Sequence, residues 1–173
     1  VLLERNATEV LPIASITKLM TAMVVLDAGL GLSEPIVINE ADIDQLKGTR
    51  SRLAIGTRLT REEMLHLALM SSENRASSAL SRHYPGGQRA FISAMNQKAI
   101  ELGLADTRFF DSTGLDPHNV SSARDLAKMV AAQYKPRRID AAPDRRLKDR
   151  PPFGQREGIG LAGGAQQGDT GAA

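Results

Sequence analysis

Apolar side chains fill most positions from Val10 to Leu26 in "VLPIASITKLMTAMVVL", and Lys18 is the single charged residue in that stretch. The run predicts a first helix over 14–27, apolar almost all the way round and ending near Gly29. Further on, "REEMLHLALM" predicts a helix opened by a capping box of Thr60 and Glu63, with Leu59 before it. That helix stops at Ser71-Ser72-Glu73-Asn74, and a short one, "ASSALSRHY", follows directly and is closed by Pro85, Gly86 and Gly87. "QRAFISAMNQKAIELG" is amphipathic, with Phe91, Met95 and Leu102 on its buried side and Gly103 as the stop. "SSARDLAKMVAAQY" reads as a last helix behind a Ser122–Asp125 capping box. Strand signals are sparse: "VLLE" at the start, "PIVI" at 35–38, and "FFDSTGLD" as a strand end and turn. The chain is helix-rich, without internal repeats, and has too few strands to complete a sheet.

The patterning changes after Tyr134. Residues 1–134 carry 14 Lys/Arg against 15 Asp/Glu, whereas residues 135–173 carry 8 against 5 and hold 7 of the 15 glycines and 4 of the 8 prolines. Apolar residues in the second stretch have no period, so it buries too little to offset its chain entropy. We divide the chain into a folded part, 1–134, and a tail, 135–173, expected to be disordered or to arise from a shifted reading frame. A net charge of +2 and 3% aromatic residues argue against a nucleic-acid reader. No cysteine is present, which excludes disulfides and thiolate metal sites. No signal peptide is legible, and because Val1 is not a Met it reads as a cut end.

Lys18 requires an explanation, because an ammonium kept from water is costly unless it is paired or neutral. Positions i and i+3 share a helix face, so Ser15 and Lys18 are expected within contact distance. An apolar setting lowers the lysine pKa, and a neutral amine can take the proton of a serine hydroxyl, making Ser15 a nucleophile without histidine. Free N–H groups at the helix start would favour a developing oxyanion. Against this, Ser-x-x-Lys recurs by chance in roughly every second chain of this length, and a lysine can snorkel to the surface. The helix break at Ser72 and Asn74 is a second signal: Ser72 is placed to relay a proton and Asn74 to donate to a substrate carbonyl. Serine capping would explain the same residues.

Taken in order, "PIASITKLMTAMVVLDA", "LALMSSENRASSALSRHYPGG", "FISAMNQKAIELGL", "TRFFDSTGL" and "HNVSSARDLAKM" resemble the low-molecular-mass penicillin-binding proteins. Among these they look most like the D-alanyl-D-alanine carboxypeptidases and the penicillin-binding protein 7 type of DD-endopeptidase. The resemblance covers nearly all of residues 1–134. It implies an α/β fold, an incomplete β-lactamase/transpeptidase-like domain represented mainly by its helical part. It implies that Ser15 is acylated by a peptidoglycan stem peptide or a β-lactam, that Lys18 is the general base, that Ser72 assists proton transfer and that Asn74 holds substrate. It implies no metal and no cofactor, a location in the periplasm or cell envelope, and β-lactams as covalent inhibitors.

The same family has a third motif, Lys-Thr-Gly, on a strand facing the nucleophile, and no Lys-Thr-Gly occurs in these 173 residues. That strand also supplies an oxyanion donor, whose loss alone costs about 10²–10³ in turnover. The chain as written is therefore expected to have little or no activity. A non-catalytic peptidoglycan- or protein-binding remnant is the alternative, and a β-lactamase on the same fold is a third reading. "GIGLAG" at 158–163 lacks the flanking strand and helix of a nucleotide site. His66, His83 and His118 have no metal-ligand spacing, and membrane association is left open.

Overall fold

The computed structural model describes residues 5–133. The "VLLE" strand expectation and the tail expectation lie outside the described residues. Strand β1 (Leu11–Pro12) leads through one 3₁₀ turn (Ala14–Ile16) into helix α1 (Thr17–Asp27). Then come β2 (Pro35–Val37), a second 3₁₀ turn (Glu40–Asp42), β3 (Arg58–Thr60), α2 (Arg61–Met70), α3 (Asn74–Arg82), α4 (Gly87–Glu101), β4 (Val120–Ser121) and α5 (Ala123–Gln133).

Helix α1 is central to the described fold because it has almost no polar face to keep wet. Met20, Ala22, Val24 and Val25 are buried on it, and it packs against α2, α3 and α4. Facing helices supply Met64 and Ala68, Ala76 and Leu80, and Phe91 and Met95. Tyr84 meets Phe91 edge-on, with ring centroids 5.2 Å apart.

Two small antiparallel sheets flank this bundle. In one, β2 pairs with β3, Ile36 lying opposite Leu59; Ile36 and Ile38 are fully buried. In the other, β1 pairs with β4, Leu11 opposite Ser121, which joins the start of the described chain to its far end. Neither β1, β3 nor β4 has the length or alternation by which a strand is recognised locally.

The capping box at Thr60 and Glu63 forms in both directions, and Glu63 is held below its usual carboxylate range by the Thr60 N–H and hydroxyl. Asp125 N–H donates to Ser122 Oγ at 3.3 Å. The Asp125 carboxylate also accepts from the Asp106 N–H at 2.7 Å and from the Thr107 hydroxyl, tying α5 to the preceding loop. Two departures from the expected boundaries matter for the site. The first helix opens as a 3₁₀ turn carrying Ser15, and α3 begins two residues earlier than "ASSAL", at Asn74.

Candidate active site

Ser15 lies in the 3₁₀ turn, exposed, one turn ahead of Lys18. The turn tightens the chain so that Lys18 Nζ reaches Ser15 Oγ at 3.2 Å. Lys18 is 2% exposed, so it does not snorkel to solvent. Its partner is the backbone carbonyl of Thr113, which accepts from Nζ at 2.7 Å. Burial is the largest influence on the amine and brings its pKa down to about 8, against the opposing charges of Asp111 and Glu73. About a tenth of such a lysine is neutral at pH 7. With one N–H committed to Thr113, the lone pair of the neutral amine is left to face Ser15.

The helix break supplies the third hydroxyl. Ser72 adopts a left-handed backbone, φ 52°, rare for a residue with a side chain. In that conformation Ser72 Oγ donates to Ser15 Oγ at 2.9 Å. Glu73, not a serine, caps α3 by accepting from the Arg75 N–H, so the serine-capping explanation does not describe this break. Asn74 follows on the first turn of α3 and donates through Nδ2 to the Thr49 hydroxyl at 3.1 Å. A primary amide has two N–H donors, so this contact fixes the plane of the amide and leaves the second donor for a ligand. Ser15, Lys18 and Ser72 thus meet around one oxygen, with Asn74 next to Ser72 along the chain. The N–H groups of Ile16 and Thr17 bond within the 3₁₀ turn, so they are not the free oxyanion donors expected of a helix start.

Sequence reasoning missed what holds Lys18 from below. Residues 111–119 form a loop organised on the Asp111 carboxylate, which accepts from the N–H groups of Gly114, Leu115 and Asp116 and from the Thr113 hydroxyl. Asn119, fully buried, closes the loop: its Oδ1 accepts from the Phe110 and Asp111 N–H groups, and its Nδ2 donates to Asp111 and to the Thr17 hydroxyl. The Thr21 hydroxyl donates to the Ser112 carbonyl at 2.7 Å. Gly114 allows the loop to pass against the turn that carries Ser15: its φ is 84°, and a Cβ there would collide with the Ala14 carbonyl. The signals were in the sequence, an Asp three residues before a Gly and an Asn before the last helix. They announce a turn and do not say what the turn supports.

Beside Ser72 a cleft of about 680 Å³ opens between α2, α3 and residues 50–53. Among the described residues there is no group of three His, Asp or Glu side chains able to hold a metal ion, and no helix is long and apolar enough to cross a membrane.

The family model described as D-alanyl-D-alanine carboxypeptidase matches residues 1–148, running past the Tyr134 boundary. The chain is 53% identical over 132 residues to a D-alanyl-D-alanine endopeptidase of Pseudomonas aeruginosa, covering 76% of this chain and 43% of the relative. It is 56% identical over 121 residues to the Escherichia coli D-alanyl-D-alanine endopeptidase, covering 70% and 39%. The chain therefore spans less than half the length of these curated relatives. Among solved structures, the Streptomyces K15 DD-transpeptidase superposes with a TM-score of 0.70 at 30% identity, over 76% of this chain and 54% of that one. Penicillin-binding protein 6B from Escherichia coli superposes at 0.68 with 32% identity, over 75% and 44%. The incomplete transpeptidase-like fold is thereby confirmed, and the chain belongs to the D-alanyl-D-alanine carboxypeptidase family.

Proposed function

We propose that this chain carries the nucleophile half of a serine DD-peptidase of the bacterial periplasm or cell envelope, acting on peptidoglycan stem peptides or cross-bridges through an acyl-enzyme. One observation carries the reading: Ser15 Oγ lies at hydrogen-bond distance from both the Lys18 amine and the Ser72 hydroxyl. Lys18, when neutral, takes the Ser15 proton as Oγ attacks the carbonyl carbon of a D-Ala peptide bond. The tetrahedral intermediate collapses, the bond to the leaving amine breaks, and the proton passes from Lys18 through Ser72 to that amine. Water then attacks the Ser15 ester by the reverse proton path and restores the hydroxyl. Asn74 holds the peptide through its free amide donor. A β-lactam would acylate Ser15 in the same way and remain attached. No metal or cofactor enters these steps.

A second reading is a remnant of the same fold that binds peptidoglycan peptide without turning it over. Loss of a single oxyanion donor typically slows acylation by about 10²–10³, so a remnant of this kind would label slowly or not at all. Labelling the full chain with a fluorescent penicillin separates the readings. Stable labelling that disappears in Ser15→Ala supports the peptidase. Labelling that survives Ser15→Ala defeats it, peptide binding without any labelling establishes the remnant, and rapid release of hydrolysed penicillin indicates a β-lactamase.

A further inference from the structure

The cleft beside Ser72 is built more firmly than a surface hollow requires. Its outer wall is the segment 49–53, pinned at four points. Against burial, which would raise it, the Asp44 carboxyl is held down to about 2 by the N–H groups of Leu46, Lys47 and Thr49, from which it accepts. The Thr49 hydroxyl is bonded to Asn74. Ser51 Oγ accepts from the Leu53 N–H, and Arg75 Nη1 donates to the Leu53 carbonyl at 2.6 Å. A wall fixed in this way holds the backbone that carries its side chains in place, so that binding has only the side chains left to order.

Those side chains are Arg50 and Arg52, both exposed and both lining the cleft opposite Ser72 and Asn74. Neither guanidinium has a hydrogen-bond or ion-pair partner among the described residues, whereas the nearby Arg75 is occupied by the Leu53 carbonyl. The one carboxylate of the lining, Glu73, already accepts from the Arg75 N–H at the α3 cap. Two unpaired planar cations beside one engaged carboxylate leave the cleft net positive, and paired guanidinium donors match a carboxylate in geometry as well as charge.

We propose that this cleft is a carboxylate-binding subsite, in which Arg50 and Arg52 grip a free carboxylate of the peptide segment that passes Asn74. The proposal rests on the peptidase reading for the nature of the ligand, a peptide, and adds what selects it. A peptide whose side-chain or terminal carboxylates near the reacting D-Ala are free is favoured over its amidated form. Arg50 and Arg52 act as specificity residues on ground-state binding and have no part in proton transfer.

The test uses the full chain and two synthetic peptides ending in D-Ala-D-Ala, one with a free carboxylate on the residue before D-Ala and one with that group as the carboxamide. Binding to the Ser15→Ala chain is read by fluorescence anisotropy, at low and at physiological salt, so that turnover does not intrude. The free acid is expected to bind about tenfold more tightly, the discrimination given by one partly solvated charge-assisted contact. The double variant Arg50→Gln/Arg52→Gln is expected to lose that preference, with affinity for the amide unchanged. Because both side chains are exposed and unbonded, an unchanged circular dichroism spectrum and melting temperature are expected. Equal binding of the two peptides, a preference that survives the double substitution, or no binding of either peptide overturns the proposal. Penicillin labelling of the Ser15-containing chain is measured in parallel. Its absence together with an intact carboxylate preference counts against the acylation chemistry while supporting the subsite, so the two failures are distinguished.

Discussion

The carbonyl of Thr113 accepts a hydrogen bond from Lys18 Nζ at 2.7 Å, between residues 95 apart in sequence. This contact, with the one to Ser15, compensates a buried amine, and it aims that amine. It depends on the Asp111 loop as much as on α1, so the behaviour of Lys18 is set from two places in the chain.

On the proposed mechanism, Lys18 should set the pH dependence of acylation. Its pKa is lowered to about 8 by burial, so the neutral, proton-accepting fraction grows as pH rises through that value. Penicillin labelling of Ser15 should rise about tenfold per pH unit below 8 and level off above it. A pH–rate series on the full chain checks this, and a flat profile between pH 6 and 9 would exclude Lys18 as the base.

The same shift enters stability. The folded pKa lies below the unfolded value of about 10.4, so between the two the unfolded chain binds more protons and stability rises with pH. Relative to Lys18→Met, the wild-type chain should gain up to a few kcal/mol as pH rises from about 8 towards 10, and gain nothing below pH 7. Urea denaturation of both proteins across that range reads the difference.

Asp111 should act on Lys18 by charge and by position. Asp111→Asn removes a negative charge that raises the lysine pKa and weakens the acceptor that organises residues 113–116. The midpoint of the labelling profile should move below 8, while stability falls by about 1–3 kcal/mol. A purely structural role would lower stability without moving the midpoint.

Gly114→Ala should damage the site from a distance. The new Cβ would collide with the Ala14 carbonyl, and the position has φ 84°. Backbone must move on one side or the other, at a cost of about 3 kcal/mol or more. Thermal denaturation should show that loss, and labelling of Ser15 should fall with it because Ala14 adjoins Ser15.

Ser72 separates stability from chemistry. With φ 52° the residue is strained, and Ser72→Gly relieves the strain while deleting the hydroxyl on Ser15. The variant should be more stable by up to about 1 kcal/mol and label more slowly, by 10²-fold or so for a lost proton relay. Ser72→Ala should label as slowly without the gain in stability.

Much of the helical framework was legible because helices are local objects. The Thr60–Glu63 box, the stop at Gly103 and the α4 periodicity through Phe91 and Met95 each involve residues within a turn or two. Ser15 and Lys18 were legible together for the same reason, three residues apart on one turn. The β1–β4 pair was not, since two-residue strands carry no alternation and their partners lie at opposite ends of the described chain. Asn74 was read as a donor to a substrate carbonyl; that one of its N–H groups is held by Thr49 was not legible, because Thr49 lies in a stretch the sequence marks only as mixed and polar. The roles of Asp111 and Asn119 were hidden because turn residues look alike whether or not a buried lysine rests on the turn.

By itself, then, the sequence determined the helices, the neighbouring Ser15 and Lys18, and the helix break that carries Ser72, because short-range sterics and capping decide these. Tertiary structure alone decided that Ser72 would meet Ser15, that Thr113 would lie under Lys18, and that Arg50 and Arg52 would face the same cleft. Those outcomes depend on how α1 packs between α2, α3 and the 111–119 loop, and burial of one helix against another is a property of the whole core, not of any segment in it.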